Sequence, residues 1–232
     1  MDRALLAWER AASARHRGGL PTLWLFTDLA RLADPRGAVA ALPRGRAGVV
    51  LRHDTDPTRA TLGHDLAALC RARRLVLLVA GDTRLAMALG AGVHLRGGRW
   101  PDKRRPRRGL VTSSAHGVAE LRRAWRAGAG LVFLSPAFPT ASHPGAPALG
   151  PLRWAARARQ VPMPVRVAAL GGVSGTTVRR LPPRLCHGVG AIGALAQGVM
   201  PHPAAAAARG ALAAARPDPA SIAATKSPRP RR

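Results

Sequence analysis

Small polar and charged side chains recur where short apolar runs of this chain end. Arg52 follows "AGVVL", Asp82 follows "LVLLVAG", and Ser114 ends the run "LVTSS". Arginine and hydroxyl groups bind phosphate oxygens, whereas a carboxylate such as Asp82 either binds a metal ion or caps the next helix. Position alone supports both roles of Asp82 equally. The pattern predicts a site for an anionic ligand.

A hydroxyl-rich segment, "SPAFPTASHPG" (135–145), follows the apolar run "LVFL", and it offers Thr140 and Ser142 as hydrogen-bond donors. Two later runs end in pairs that contain glycine, Gly171-Gly172 and Ile192-Gly193. Glycine allows a ligand to approach the backbone closely. Backbone N–H groups at such glycine turns bind phosphate when they lie at the rim of a barrel or sheet. We therefore predict a phosphate site where the hydroxyl-rich segment meets these turns.

Two histidines lie near these positions, but their surroundings in the sequence do not indicate catalysis. His94 lies inside an apolar run, which is more typical of a hydrogen-bonded core imidazole than of a ligand. Ser114 and His116 are separated by a single residue on a predicted strand, and this spacing does not suit a nucleophile with its base. A serine-hydrolase site is not predicted.

Eight apolar runs without polar alternation predict strands that are buried on both faces, as in a parallel sheet. The runs are "TLWLFTD" (22–28), "RAGVVLRHD" (46–54), "RLVLLVAGD" (74–82), "GAGVHLRGG" (90–98), "GLVTSSAH" (109–116), "GAGLVFLSP" (128–136), "MPVRVAALGG" (163–172) and "CHGVGAIGAL" (186–195). Helical spacing of apolar residues alternates with them at 56–74, 117–128 and 149–160. This order predicts an α/β fold, a compact (β/α)8 TIM barrel, with a doubly wound open sheet as the alternative.

Three other segments complete the expected organisation. Residues 174–183 should begin a helix at Ser174 and end it at Pro182, and 97–109 should form a loop. We expect an N-terminal helical extension at 1–20, a barrel at 21–200 and a low-complexity basic tail at 201–232 that is partly disordered. Residues 203–215 of that tail are a candidate for a last barrel helix.

The formal net charge of +26 at first suggests a nucleic-acid partner. However, only Lys103 and Lys226 among the 37 basic residues are lysines, and tyrosine is absent. Codons of a GC-rich genome favour Arg, Ala, Gly and Pro over Lys and Tyr, so coding bias accounts for much of the charge. The basic residues cluster only at 103–108 and 227–232. A solvated basic surface is therefore the favoured interpretation, and nucleic acid is not the expected partner.

Several features favour a cytoplasmic protein with free thiols. No apolar run approaches the roughly 20 residues that span a bilayer, and the N-terminus is too charged for the apolar segment of a signal peptide. Cys70 and Cys186 belong to no metal-binding motif, so we expect buried free thiols.

An ordered set of motifs gives the chain a resemblance to a known family. The motifs are "LWLFTD", "LRHD", "GDTRLAMALGAGVHL", "SSAH", "SPAFPTASH", "ALGGV" and "AIGAL", and they span about 23–195. In this order they resemble the thiamine phosphate synthase family, which includes the related thiazole tautomerases. The resemblance implies a (β/α)8 barrel and a transferase that couples hydroxymethylpyrimidine diphosphate to a thiazole phosphate with release of diphosphate.

The resemblance also implies roles for individual residues. It assigns binding of the thiazole phosphate to Thr140, Ser142, Gly172, Ile192 and Gly193. It assigns the diphosphate to Arg52, Ser114 and His143, and it implies a Mg²⁺ ion on Asp82 that stabilises the leaving group together with basic side chains.

Departures from the family pattern lie mainly on the diphosphate side. Val50 replaces a glutamine, Asp54 a lysine and Gly81 an asparagine. A second metal carboxylate is expected near Arg99, where Asp102 is the nearest acid, and His143 stands in place of a loop lysine. The tautomerase histidine corresponds to Pro136, so tautomerase activity is not expected.

The departures leave two main functional hypotheses open. The first is a divergent thiamine phosphate synthase that acts on small phosphorylated substrates in thiamine biosynthesis. The second is a non-catalytic paralogue that binds or senses a phosphorylated ligand. A basic nucleic-acid-associated protein that uses 103–108 and the tail ranks below both.

Overall fold

Eight parallel strands form a closed barrel in the computed structural model, which describes residues 1–16, 19–106, 109–140, 145 and 147–196. The strands are β1 (Leu23–Phe26), β2 (Ala47–Leu51), β3 (Val76–Ala80), β4 (Gly92–Arg96), β5 (Val111–Ala115), β6 (Leu131–Leu134), β7 (Arg166–Leu170) and β8 (Gly188–Ala191). They pair in chain order, and β1 closes the ring by pairing with β8. The predicted (β/α)8 barrel is confirmed, and the open sheet is ruled out by this closure.

Helices cover the outside of the barrel. They are α1 (Arg3–Arg15), α2 (Arg36–Ala41), α3 (Arg59–Arg73), α4 (Thr83–Leu89), α5 (Val118–Arg126), α6 (Gly150–Ala158), a 3-10 helix (Val178–Arg180) and α7 (Gly193–Ala196). No helix within the described part of the chain is long and apolar enough to cross a membrane.

Large and small side chains alternate inside the barrel. Trp24 and Phe26 of β1 meet Phe133 of β6 edge to face, with ring centroids 5.7 and 4.8 Å apart. A Cβ at Gly48 would lie 2.2 Å from the Trp24 ring, and a Cβ at Gly190 would lie 2.6 Å from the Phe26 ring. The interior is therefore a filled core, as expected for eight strands, and ligands must bind at one end of it.

The N-terminal helix α1 packs into the main hydrophobic core. Leu5 is fully buried there, and Asp2 caps the helix by accepting hydrogen bonds from Ala4 N and Leu5 N at 2.9 and 3.0 Å. The other carboxylate oxygen of Asp2 accepts from Gly175 N at 2.7 Å, which ties α1 to the loop after β7. The division into extension, barrel and tail remains a prediction, and residues 201–232, including 203–215, lie outside the described residues.

Residues 174–183 form less helix than predicted. The Ser174 hydroxyl accepts from Thr177 N at 3.3 Å, so it begins a turn as expected, but only the 3-10 helix follows. Three successive β-branched residues and the prolines at 182 and 183 disfavour a longer helix. Residues 97–106 contain no helix, in agreement with the predicted loop.

The two cysteines are buried free thiols, as predicted. Burial raises the pKa of both Cys70 and Cys186 to about 12. Because the thiolate is the reactive form, neither cysteine is a nucleophile at neutral pH.

Candidate active site

A cavity of about 780 Å³ opens at the carboxyl ends of the strands. Six of the nine predicted site residues line it: Arg52, Ser114, Thr140, Gly172, Ile192 and Gly193. They follow or end β2, β5, β6, β7 and β8, which is why residues distant in sequence meet at one rim. Ser142 and His143 lie outside the described residues, and Asp82 does not line the cavity.

One side of the cavity, here called the glycine side, consists of Thr140, Gly171, Gly172, Ile192 and Gly193. Ala137 N donates to Leu170 O at 2.8 Å and Phe138 N donates to Gly171 O at 3.0 Å, so the loop after β6 is bound to the turn after β7.

Close packing of the main chain fixes the shape of the glycine side. Gly172 has a φ of +63°, and a Cβ there would lie 2.2 Å from Pro139 O. No residue larger than glycine fits this contact without moving the loop that carries Thr140. A Cβ at Gly193, in contrast, would meet no atom of the described residues within 4 Å. The glycine side is therefore rigid at Gly172 and open to a ligand at Gly193.

The opposite side of the cavity, here called the arginine side, consists of Arg52, Arg96 and Arg99. Arg52 is positioned by its backbone N, which donates to the Thr27 hydroxyl at 2.9 Å. Its guanidinium forms no hydrogen bond or ion pair with any other described residue. Arg96 ends β4, and β4 lies four strands from β8 around the ring. The two sides therefore face each other across the barrel mouth.

His94 lies at the floor of the cavity, between the two sides. Its side chain is almost fully buried, and its Nδ1 lies 2.9 Å from the Thr112 hydroxyl. Burial, together with the charges of Arg52 and Arg96, lowers the pKa of His94 to about 3. The imidazole is neutral at physiological pH, as expected for the hydrogen-bonded core histidine that the sequence indicated, although the cavity reaches it.

Glu120 is a cavity residue that sequence reasoning missed. Its Oε2 accepts from His116 N at 2.7 Å and lies 3.1 Å from His116 Nδ1. Burial raises the pKa of Glu120, but the hydrogen bonds from His116 outweigh burial and bring its pKa below the usual value. A signal existed, because Glu120 is four residues after His116 and lies in the first turn of α5, where a carboxylate satisfies free backbone N–H groups.

Ser114 is held at the rim by the loop that follows β4. Its hydroxyl accepts from Gly97 N at 3.4 Å, while the neighbouring Ser113 hydroxyl accepts from Gly98 N at 2.9 Å. The two serines anchor the loop that carries Arg99, which itself donates from its backbone N to Arg96 O at 3.0 Å. Ser114, the predicted hydroxyl donor, therefore lies beside the loop that carries Arg99 of the arginine side.

Asp82 is the cap of α4, because its Oδ1 accepts from Leu85 N at 2.8 Å. Its Oδ2 lies 3.8 Å from Arg59 Nη1, and the other Arg59 nitrogen lies 3.5 Å from Asp54 Oδ1. Within the described ranges, no group of three or more His, Cys, Asp or Glu residues is arranged to hold a metal ion. The capping role of Asp82 is the one the geometry supports, and these donors do not fit the Mg²⁺ ion that the resemblance implied.

Comparison with known proteins agrees with the motif order. Residues 28–195 match the thiamine monophosphate synthase family. A thiamine-phosphate synthase of Geobacillus kaustophilus (strain HTA426) is 36% identical over 163 residues, which cover 67% of this chain and 72% of that protein. The chain belongs to the thiamine monophosphate synthase family. A putative thiamine-phosphate synthase 2 of Aquifex aeolicus (strain VF5) is 30% identical over 182 residues, covering 75% of this chain and 94% of the relative.

Solved structures agree with the fold of this family. The thiamine phosphate pyrophosphorylase of Pyrococcus furiosus superposes with a TM-score of 0.63 at 22% identity, covering 77% of this chain and 89% of that one. At this level of identity the likeness establishes the barrel alone. An HpcH/HpaI aldolase/citrate lyase family protein of Burkholderia cenocepacia also superposes, with a TM-score of 0.54 at 15% identity, covering 89% of this chain and 98% of that one. The function must therefore be argued from the cavity itself.

Proposed function

We propose that this protein is a divergent thiamine phosphate synthase. The cavity binds thiazole phosphate on the glycine side and hydroxymethylpyrimidine diphosphate on the arginine side, and it couples the two with release of diphosphate. The observation that carries this proposal is the opposition of two anion-binding sides across one cavity. A reaction between two phosphorylated molecules requires such an arrangement, whereas a single phosphorylated ligand requires only one side.

The glycine side suits a phosphate monoester. Main-chain N–H groups at Gly172 and Gly193 and the hydroxyl of Thr140 are donors of the kind that bind phosphate without adding charge. Ser142 is proposed as a further donor on the same segment. Phe26, Pro136 and Leu170 supply apolar cavity walls for the two heterocyclic rings.

The arginine side suits a leaving diphosphate. In the coupling the thiazole nitrogen forms a bond to the pyrimidine methylene carbon, the bond from that carbon to the diphosphate oxygen breaks, and its electron pair stays on the diphosphate. Charge therefore grows on the diphosphate in the transition state, where preorganised cations lower the barrier. The Arg52 guanidinium, which makes no hydrogen bond to another described residue, can make this contact, Ser114 adds a hydroxyl donor, and His143 is proposed as a further diphosphate-binding residue. No step of the proposal depends on a magnesium ion, because the described carboxylates do not fit one.

The neutral imidazole of His94 fits this chemistry. The coupling needs no proton transfer at the carbon that is attacked, and a charged histidine at the cavity floor would repel the thiazolium that forms. The arginines and the buried position keep His94 uncharged. We propose that it contacts the pyrimidine ring through hydrogen bonding or edge contact and not as an acid or base.

A non-catalytic binding protein is the second candidate, and one observation favours it. Val50 occupies the position of the family glutamine and is fully buried among the apolar side chains inside the barrel. That position therefore contributes no polar group to the substrate. If several such losses abolish turnover, the glycine side remains as a site for thiazole phosphate.

A coupling assay separates the two candidates. The purified protein is incubated with both substrates, once with MgCl₂ and once with EDTA, and thiamine phosphate is measured by chromatography. The proposal predicts product above background in at least one of the two conditions and its loss in Arg52→Ala. Arg122→Ala is the matched control, since Arg122 is exposed on α5 and does not line the cavity. Absence of product from folded protein in both conditions would reject the synthase and leave the binding protein.

The cellular location and the division of the chain are part of the same proposal. A synthase acting on phosphorylated metabolites fits a cytoplasmic location. We also retain the three-part division of the chain into the N-terminal helical extension at 1–20, the barrel at 21–200 and the basic tail at 201–232.

A further inference from the structure

We infer that this protein binds the diphosphate through arginine side chains in place of a divalent cation, with Arg96 as the principal replacement. The inference rests on the proposed function, because it names the chemistry of the arginine side of the same cavity. It concerns a residue that neither the family resemblance nor the sequence assigned to any role.

Arg96 is placed where it can contact a ligand. Its side chain lines the cavity and is 56% exposed, so the guanidinium is accessible to a ligand. One nitrogen, Nη2, pairs with Asp54 Oδ2 at 2.5 Å, and this contact orients the group at the rim. A guanidinium has five donors, and one ion pair leaves donors available for phosphate oxygens.

Two departures from the family pattern contact this one side chain. Asp54 stands where the family has a lysine, and it pairs with Arg96. Gly81 stands where the family has an asparagine, and a Cβ at Gly81 would lie 3.3 Å from the Arg96 guanidinium. A larger residue at 81 would crowd the position that the guanidinium occupies. The substitutions together move a positive charge from the end of β2 to the end of β4.

The carboxylates near Arg96 are already engaged by arginines. A magnesium ion requires oxygen ligands that are free to coordinate it. Asp54 pairs with Arg96 and Arg59, while Asp82 caps α4 through Oδ1 and its Oδ2 lies 3.8 Å from Arg59 Nη1. The Arg59 side chain is only 15% exposed, so the cation between the two carboxylates is a largely buried part of the protein. Arg99 adds a further positive charge where the family pattern expects an acid.

The chemistry of arginine suits this replacement. Guanidinium groups form paired, charge-assisted hydrogen bonds to phosphate oxygens and stay charged at every physiological pH. Three arginines line this side of the cavity, and Asp54 offsets one of their charges. The remaining positive charge is enough to bind a diphosphate and to stabilise it as it leaves.

The test is the binding of inorganic pyrophosphate to the full-length protein, measured by isothermal titration calorimetry in EDTA and again in MgCl₂. We expect binding in EDTA, with an affinity that MgCl₂ does not increase by more than about threefold. Arg96→Ala should weaken binding in EDTA by about tenfold to a hundredfold, the range for loss of a charged hydrogen-bonding group. The control Arg122→Ala should bind as the wild type does.

A rescue variant distinguishes a binding role of Arg96 from a structural one. Asp54→Lys combined with Arg96→Ala removes the ion pair and returns the positive charge to the end of β2. We expect the double variant to recover pyrophosphate binding lost in Arg96→Ala. Circular dichroism melting of each variant establishes that it is folded. Failure of rescue in a folded double variant would contradict the relocation of the charge.

The outcomes separate this inference from the proposed function. Pyrophosphate binding that occurs only with MgCl₂ would overturn the inference, while product in the coupling assay with MgCl₂ would retain the synthase. Binding in EDTA without any coupling product would reject the synthase and support the arginine site. Absence of pyrophosphate binding under both conditions would overturn the inference.

Discussion

The two sides of the cavity are built by different means. The glycine side is shaped by the main chain, through the contact of Gly172 with Pro139 O and the hydrogen bond from Phe138 N to Gly171 O. The arginine side is shaped by side chains that extend from β2 and β4 into solvent. The resemblance to the family is close on the first side, whereas the second side carries most of the departures.

The two sides differ in how much a substitution disturbs the fold. A substitution at Gly172 disturbs two connected loops, so it affects the stability of the barrel as well as ligand binding. A substitution at Arg52 or Arg96 removes a partly exposed side chain and leaves the packing intact. The anion site made of main chain therefore persists with the fold, and the anion site made of side chains is free to be rebuilt around a different arrangement of charge.

The largest expected effect is that of Gly172→Ala. The new Cβ would lie 2.2 Å from Pro139 O at a residue with positive φ, so the loop must move or strain must remain. We expect the free energy of unfolding to fall by about 2–4 kcal/mol, measured by chemical denaturation. Unchanged stability would show that the glycine side is not rigid.

Arg52→Ala, in contrast, should weaken ligand binding and leave the stability of the protein nearly unchanged. The guanidinium forms no hydrogen bond or ion pair with another described residue and acts on Asp28 and His94 only through its charge, so the free energy of unfolding should change by less than about 0.5 kcal/mol. The affinity for pyrophosphate should fall by about tenfold to a hundredfold, since a charged hydrogen-bonding group is lost. Calorimetry with Arg122→Ala as control measures this effect. A large loss of stability would mean that the arginine side is also part of the packing.

Gly193→Ala separates ligand binding from stability on the glycine side. The added methyl meets no atom within 4 Å in the part of the chain that the structure describes, so the fold should tolerate it, and it would lie at the lining of the cavity. We expect about tenfold weaker binding of thiazole phosphate and unchanged binding of pyrophosphate, both measured by calorimetry. Weakening of both ligands equally would argue that they share one site.

The last expected effect concerns His94, which lies between the two sides. Its pKa is about 3 in the folded protein against 6.5 ordinarily, so the unfolded chain takes up a proton first as the pH falls. The stabilisation that depends on neutral His94 is therefore fully present above pH 6.5 and decreases below it, with a limiting slope of about 1.4 kcal/mol per pH unit. His187, whose pKa is also lowered, chiefly by burial, acts in the same direction.

The variant His94→Asn isolates the contribution of His94. Asparagine cannot titrate, and its amide group lies near the position of the histidine Nδ1 that contacts the Thr112 hydroxyl. Denaturation of both proteins between pH 7.5 and about pH 5 should show a shallower decrease for the variant. Asp2, Asp28, Asp56 and Glu120, whose pKa values are lowered, begin to contribute only at more acidic pH. Equal slopes for the two proteins would contradict the neutral state of His94.

Much of the barrel could be predicted from the sequence, because each strand is a short apolar run followed by a polar group or a glycine. The same local signal identified Gly172, Gly193 and Thr140 as neighbours in space, since parallel strands end at one rim. The pairing of Arg96 with Asp54 could not be predicted. The pairing depends on the directions of two side chains on the non-adjacent strands β2 and β4. The sequence pattern around each residue does not indicate these directions.

Competition calorimetry can show whether the two anions bind at separate sites. Pyrophosphate is titrated in EDTA into protein that is already saturated with thiazole phosphate. Two opposed sides predict that pyrophosphate still binds, with one equivalent per chain and an affinity within about threefold of that for the free protein. Displacement of thiazole phosphate by pyrophosphate would contradict the account, because it would place both anions in a single site.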